Sequence, residues 1–124
     1  IKESISEYQI ILSRLSTISS LTQLSHFKKA KKNLSLLSTQ YNLSLHNQIY
    51  CDSLHKLAYL NSRILKIPNV EINDQFKKAI YYSKMYKQNR ILCNCYNDYA
   101  LFLHDIGEIK NSIKYFNTRV LKYF

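Results

Sequence analysis

The sequence predicts an all-α fold of about six antiparallel helices arranged in three hairpins. Three observations carry that prediction. Apolar residues recur at steps of three and four, which lines them along one face of a 3.6-residue helix. Turn residues are almost absent: the 124 residues hold one glycine, Gly107, and one proline, Pro68, whereas a sandwich or barrel of short strands needs many more. A short phrase also repeats. Phe27-Lys28-Lys29-Ala30 returns as Phe76-Lys77-Lys78-Ala79, and more loosely as Ile109-Lys110-Asn111-Ser112, each time opening an amphipathic run.

Taken in order, the first helix covers about residues 4–24, with Tyr8, Ile11, Leu12, Leu15 and Ile18 on its apolar side. The second opens at Phe27 and continues through Ala30, Leu34 and Leu37. The third covers about residues 43–66 and carries Ile49, Leu54, Leu57, Ala58 and Ile64. Residues 67–72, which include the proline, form the next loop, and Asn73 or Asp74 caps the fourth helix by offering a side-chain oxygen to its free N–H groups. The ladder of that helix is Phe76, Ala79, Ile80, Ser83 and Tyr86. The fifth covers about residues 88–106, with Leu92, Tyr96, Tyr99, Ala100 and Leu103. Gly107 supplies a turn at positive φ, and the sixth helix presents Ile109, Ser112, Ile113, Phe116 and Val120. Where helices meet, Ala58, Ala79, Ala100 and Ser112 allow close approach, and Tyr96, Tyr99 and Phe116 fill the remaining space. Hydrophobic residues make up 46% of the chain, enough for a core, so residues 1–124 read as one domain with units at about 4–42, 43–87 and 88–124.

Tyr96, Tyr99, Ala100, Leu103, Gly107, Ser112 and Phe116 resemble the tetratricopeptide repeat, in which large, small, Tyr, Gly, Ala and aromatic positions fall at these spacings. Ala79 and Ser112 lie 33 residues apart, close to the period of that repeat. The second unit shares the resemblance through Leu54, Leu57, Ala58 and Ala79 with a longer turn, the first through Leu15, Ile18, Ser19, Ala30 and Leu34. The resemblance implies a right-handed superhelical solenoid whose concave face is lined by the first helix of each hairpin. It further implies a non-enzymatic protein–protein interaction scaffold, without cofactor, that binds a peptide or partner domain on that face. By register the face takes Asp52, His55, Lys56, Tyr59 and Arg63 from the second hairpin. The third offers Asn94, Asn97, Asp98 and His104, with Leu101 and Asp105, and the first Ser13, Ser16, Thr17, Ser20 and Gln23. Amide, imidazole, guanidinium and phenol groups in such a row suit an extended peptide. The Lys-and-Asn carboxylate clamp of chaperone-binding members is not matched, since Ser16, Ser20, Asn94 and Asp98 occupy those positions. Bacterial members often sit in regulators beside DNA-binding or kinase domains, which makes the sensor or docking part of a signalling or transcriptional regulator the expected role.

The formal charge is +10. Lys28, Lys29, Lys31, Lys32, Lys77, Lys78, Lys84, Lys87, Lys110, Lys114, Arg119 and Lys122 fall mostly on the second helix of each hairpin. The alternative function is therefore a basic helical nucleic-acid-binding domain, its convex lysines on phosphates and Tyr81, Tyr82 and Tyr115 on bases. A solvated helix face in a Lys-, Asn-, Ile- and Tyr-rich composition is the plainer reading of the same charge. Catalytic signatures are absent. One glycine cannot build a phosphate loop, and neither a metalloprotease His pair nor a nucleophile elbow occurs. Cys93 and Cys95, two apart on a helix, point in different directions and cannot share a metal. Cys51 and His55 are spaced to touch, but no orienting group accompanies them. Three cysteines in a chain with a real core read as reduced thiols, and the expected location is cytoplasmic. No apolar run is long enough to span a membrane, and the N-terminal segment is not a signal peptide. A start at Ile1 and a last helix running to Phe124 suggest a piece of a longer chain. Its ends, with Ile1 and Ile5 at one edge and Val120, Leu121 and Phe124 at the other, are expected to support self-association.

Overall fold

The computed structural model describes residues 6–64 and 66–123, and the side chains of 6–64 and 66–118. Six α-helices follow one another: α1 Glu7–Gln23, α2 Phe27–Gln40, α3 Asn47–Ile64, α4 Asn69–Met85, α5 Asn89–Asp105 and α6 Ile109–Tyr123. A single 3₁₀ turn, Leu43–Leu45, precedes α3, and there is no strand among the described residues. Helix α1 begins where Ser6 accepts from the Gln9 amide while the Gln9 side chain accepts from Ser6 N–H, both at 3.2 Å. This reciprocal cap satisfies two otherwise free donors and fixes the helix start.

Three of the five connections share one local geometry. Ser25, Lys87 and Gly107 all have positive φ, at 63°, 55° and 88°. In each turn the following residue's N–H reaches back five positions to a helix carbonyl: His26 to Leu21, Gln88 to Ser83, and Glu108 to Leu103. The left-handed residue closes the helix end and reverses the chain. Only the third of these turns uses the glycine that the conformation favours.

The connection between α3 and α4 corrects the expected loop over 67–72 and the expected cap at Asn73 or Asp74. Helix α4 starts directly after Pro68, whose carbonyl accepts from Glu71 and Ile72 N–H at 3.0 and 3.2 Å. Proline fits this position because its fixed φ leads into a helix and its missing N–H is not needed there. The helix also begins a turn earlier because Ile72 is wholly buried and extends the Phe76 ladder by one step. Asn73 is instead used across the helix pair: its carbonyl oxygen accepts from the Tyr99 hydroxyl. Asp74 is exposed.

Each helix packs on its chain neighbour, and α1 and α5 both also touch α3. Two apolar clusters result, with α3 contributing to both. Ile49 and Leu60 join Ile11, Leu15, Ile18, Ala30, Leu34, Leu37 and Leu43. On its other side, Cys51 and Ala58 join Ile72, Phe76, Ala79, Ile80 and the buried face of α5. The Phe76 ring stacks on Tyr99 at 5.3 Å and lies 5.8 Å from Phe102. Burying such a ring contributes about 2–3 kcal/mol relative to leaving it in water. Ala30, Ala58, Ala79 and Ala100 are all buried, as is Ser112. The Ser112 hydroxyl donates to the Ala100 carbonyl at 2.7 Å, so a small polar residue both permits and bonds the α5–α6 contact.

The apolar row of α6 differs from its expected burial. Ser112 faces inward, but Ile109, Ile113 and Phe116 are exposed, as is Leu12 on α1. Phe116 therefore does not fill the groove that Tyr96 and Tyr99 fill. Helix α6 packs on α5, and among the described residues no later helix covers its other side. Ile1, Ile5 and Phe124, and the side chains of Val120 and Leu121, lie outside the described residues. Among the described residues no helix is long and apolar enough to cross a membrane.

Candidate functional site: a groove across α1, α3 and α5

Seven of the nine predicted site residues meet in one open groove of about 750 Å³. Asp52, His55, Lys56, Tyr59 and Arg63 come from α3, and Asn94 and Asp98 from α5. The spacing explains the α3 set, because steps of three and four keep 52, 55, 56, 59 and 63 on one face. The C-terminal part of α1 closes one side with Ser19, Thr22 and Gln23, and Phe27 at the start of α2 closes the corner.

Both carboxylates in the groove are committed internally. His55 Nε2 lies 2.6 Å from Asp98 Oδ2, with the two side chains only 14% and 16% exposed, so the pair ties α3 to α5. Asp52 takes Lys56 Nζ on both of its oxygens at 2.8 Å, one helical turn away. Two cations remain. Neither Arg63 nor Arg90 has a carboxylate in ion-pair reach among the described residues. The Arg63 guanidinium instead lies 5.6 Å from the centre of the Phe27 ring. That ring meets Tyr59 edge-on at 6.4 Å, and Tyr59 lies 6.5 Å from His55. The floor is thus a row of imidazole, phenol and phenyl rings ending in a guanidinium.

Two predicted residues lie elsewhere. Asn97 is half-buried outside the groove, where its amide donates to Asp98 Oδ1 at 3.3 Å. One residue is about 100° around a helix, which turns Asn97 away from the face holding Asp98. His104 is largely exposed, 3.7 Å from Asp105. It lies six residues beyond Asp98, about 9 Å along the axis, past the end of the groove. In the first hairpin, Gln23 lines the groove together with Ser19 and Thr22, but Ser13, Ser16, Thr17 and Ser20 do not.

Sequence reasoning missed Arg90, Ile91 and Gln48, all of which line the groove. The signal was present for all three: Arg90 stands four residues before Asn94 and Ile91 three before it, and Gln48 four before Asp52. Phe27 could not be found this way, since it reaches the site from the start of a different helix.

The other sequence candidates resolve as packing. Cys51 is wholly buried, and burial pushes its thiol above the usual range. Its i+4 neighbour His55 is engaged with Asp98 instead. Burial likewise pushes the Cys95 thiol up to about 12. No group of three His, Cys, Asp or Glu side chains converges as a metal site among the described residues. A separate cavity of about 490 Å³ between α2 and α3 is lined by leucines, serines, tyrosines and Asn42, without an ionic side chain. It lacks the clustered charge that distinguishes the groove.

No protein-family model, curated protein or solved structure matches this chain.

Proposed function

We propose that the chain is a non-enzymatic interaction scaffold, a tetratricopeptide-like right-handed solenoid piece that binds an extended acidic peptide segment in the groove of α1, α3 and α5. The observation that carries this reading is the pair of arginines without a carboxylate partner among the described residues, Arg63 and Arg90, in a groove where Asp52 is paired with Lys56 and Asp98 is hydrogen-bonded to His55. Cations that have no carboxylate partner within the groove are complemented by an anionic ligand. A guanidinium offers bidentate hydrogen bonding to a carboxylate, which a lysine cannot match. Tyr59 and Phe27 supply rigid contact area, while Asn94, Gln48 and Gln23 can hold a peptide backbone from both sides. The contact of α1 and α5 with α3 supports the solenoid reading, since it makes the first helices of the hairpins one continuous layer. Such a piece belongs in a cytoplasmic signalling or regulatory protein, as the docking or sensing part.

Peptides selected from a randomised library on the immobilised chain test this directly. The selected sequences are enriched in Asp and Glu. Their binding falls by about 1–3 kcal/mol in Arg63→Ala, Arg90→Ala or Tyr59→Ala, with the helical circular-dichroism signal unchanged. Selected peptides of neutral or basic composition, or peptides indifferent to all three substitutions, would overturn the reading.

A further inference from the structure

A second surface shares no residue with the groove. Tyr81 on α4 is 61% exposed, although most aromatic rings of this chain are packed. Tyr82 stacks on Tyr86 at 5.9 Å, Tyr96 on Tyr115 at 6.0 Å, and Tyr99 on Phe76. Tyr81 touches Tyr82 only edge-on, with the planes at 88°, and stacks on no ring among the described residues. Of the three tyrosines expected to meet bases, it alone is available, since Tyr82 and Tyr115 are half-buried in ring contacts.

The neighbours of Tyr81 on the helix surface are set by the steps of three and four. They are Lys77, Lys78, Lys84 and Met85, and all four are exposed. Among the described residues none of the three lysines takes part in an ion pair, although Asp74 stands within a turn of two of them. The basic stripe does not end at α4. Lys77 and Lys114 line one cavity of about 500 Å³ between α4 and α6, together with Asn73 and Asn111, and Glu108 is its one carboxylate. An unstacked aromatic ring amid unpaired cations, continued onto a second helix, answers a ligand with a planar group and a repeating negative charge. An acidic protein would use the lysines but would have no need of a free ring.

We propose that the outer face of α4, continued onto α6, binds single-stranded nucleic acid, with Tyr81 stacking on a base and Lys77, Lys78, Lys84 and Lys114 meeting phosphates. Affinity then has two separable parts. The lysines release counterions, so binding weakens steeply with salt. The tyrosine adds base stacking that salt does not screen and that tolerates any base. The net charge of +10 assists long-range attraction of the polyanion.

The test uses the 124-residue chain, a fluorescent oligothymidine of about 15 nucleotides, and heparin as a polyanion without bases. Anisotropy is followed across a salt series. Tyr81→Ala lowers oligonucleotide affinity roughly tenfold, leaves the salt slope unchanged and leaves heparin binding intact. Lys77→Gln combined with Lys78→Gln weakens both ligands and reduces the oligonucleotide salt slope by about 1.4, the value for two phosphates on a single strand. Arg63→Ala in the groove leaves the Tyr81-dependent part of oligonucleotide affinity unchanged, so failure here and failure of the peptide reading are distinguishable. Equal oligonucleotide binding by wild type and Tyr81→Ala, or tighter binding of a duplex of the same length, would overturn the proposal. So would loss of heparin and oligonucleotide in parallel in Tyr81→Ala, which reports a disturbed fold or plain charge attraction. A wild-type chain that binds no oligonucleotide at low salt rejects it outright.

Discussion

Ala100 shows how much a single methyl can decide. Its side chain is buried against α6, and its carbonyl receives the Ser112 hydroxyl at 2.7 Å. Ala100→Leu adds volume where two backbones meet and breaks that hydrogen bond's geometry, so stability falls by about 1–3 kcal/mol, read as a lower urea midpoint. An unchanged midpoint would mean that α5 and α6 are not in close contact here. Buried ionisable residues make a second prediction. Burial raises the Tyr99 hydroxyl to about 12 from 10.0, with Tyr115 adding to the rise, and the Cys95 thiol to about 12 from 9.0. Cys51 is raised in the same direction. In each case the fold favours the neutral form, so the unfolded chain loses its protons first as pH rises. The stabilisation is fully present below about pH 9 and is lost progressively towards about pH 12. Urea midpoints should be level near neutrality and fall across that alkaline range, less so in a Cys95→Ala variant than in wild type. In the intact fold the Cys51 and Cys95 thiols should react with a maleimide only as fast as the chain opens. Burial of this kind was legible in the sequence, since Ala100, Tyr99 and Ala79 sit at helical spacing. The His55–Asp98 bond was not, because the partners are 43 residues apart and no local pattern brings them together.

Helix ends carried less information than helix faces. The amphipathic faces were readable because apolar spacing is a property of many residues at once. A turn rests on one residue, and glycine marks only Gly107 of the three left-handed turns. Ser25 and Lys87 adopt the same region with side chains that disfavour it. Their tertiary context outweighs a local cost of about 1–2 kcal/mol. Lys87→Gly should therefore raise stability by up to about 1 kcal/mol, while Gly107→Ala should lower it by a similar amount. A Cβ at Gly107 meets nothing within 4 Å, so backbone strain alone is at stake. Thermal melts of the two variants shift in opposite directions. Equal shifts would show that these turns are not equivalent. The start of α4 was misplaced for a related reason. Proline in a sequence suggests a loop, here the one expected over residues 67–72, yet in this chain it leads directly into the next helix. The burial of Ile72 showed where that helix begins only once its packing partners were known.

At the scale of the whole molecule, the arrangement of α1, α3 and α5 around one groove turns a row of sequence positions into a surface. Register alone placed Asp52, His55, Lys56, Tyr59, Arg63, Asn94 and Asp98 on that surface. It failed for Asn97 and His104, because it ran the face too far along α5 and around its side. It missed Arg90, which together with Arg63 gives the groove its uncommitted positive charge. That charge is the physical basis of the recognition reading, and the lysine-bearing face of α4 and α6 is a separate surface with its own ligand chemistry. The most direct test maps a library-selected peptide onto the ¹⁵N-labelled chain by amide chemical shifts at saturating peptide. The account predicts that the perturbed amides cluster at 48–63 on α3 and 90–98 on α5, with the α1–α2 corner, and that those around Tyr81 and Lys114 stay still. Perturbations confined to α4 and α6, with the groove silent, would contradict it.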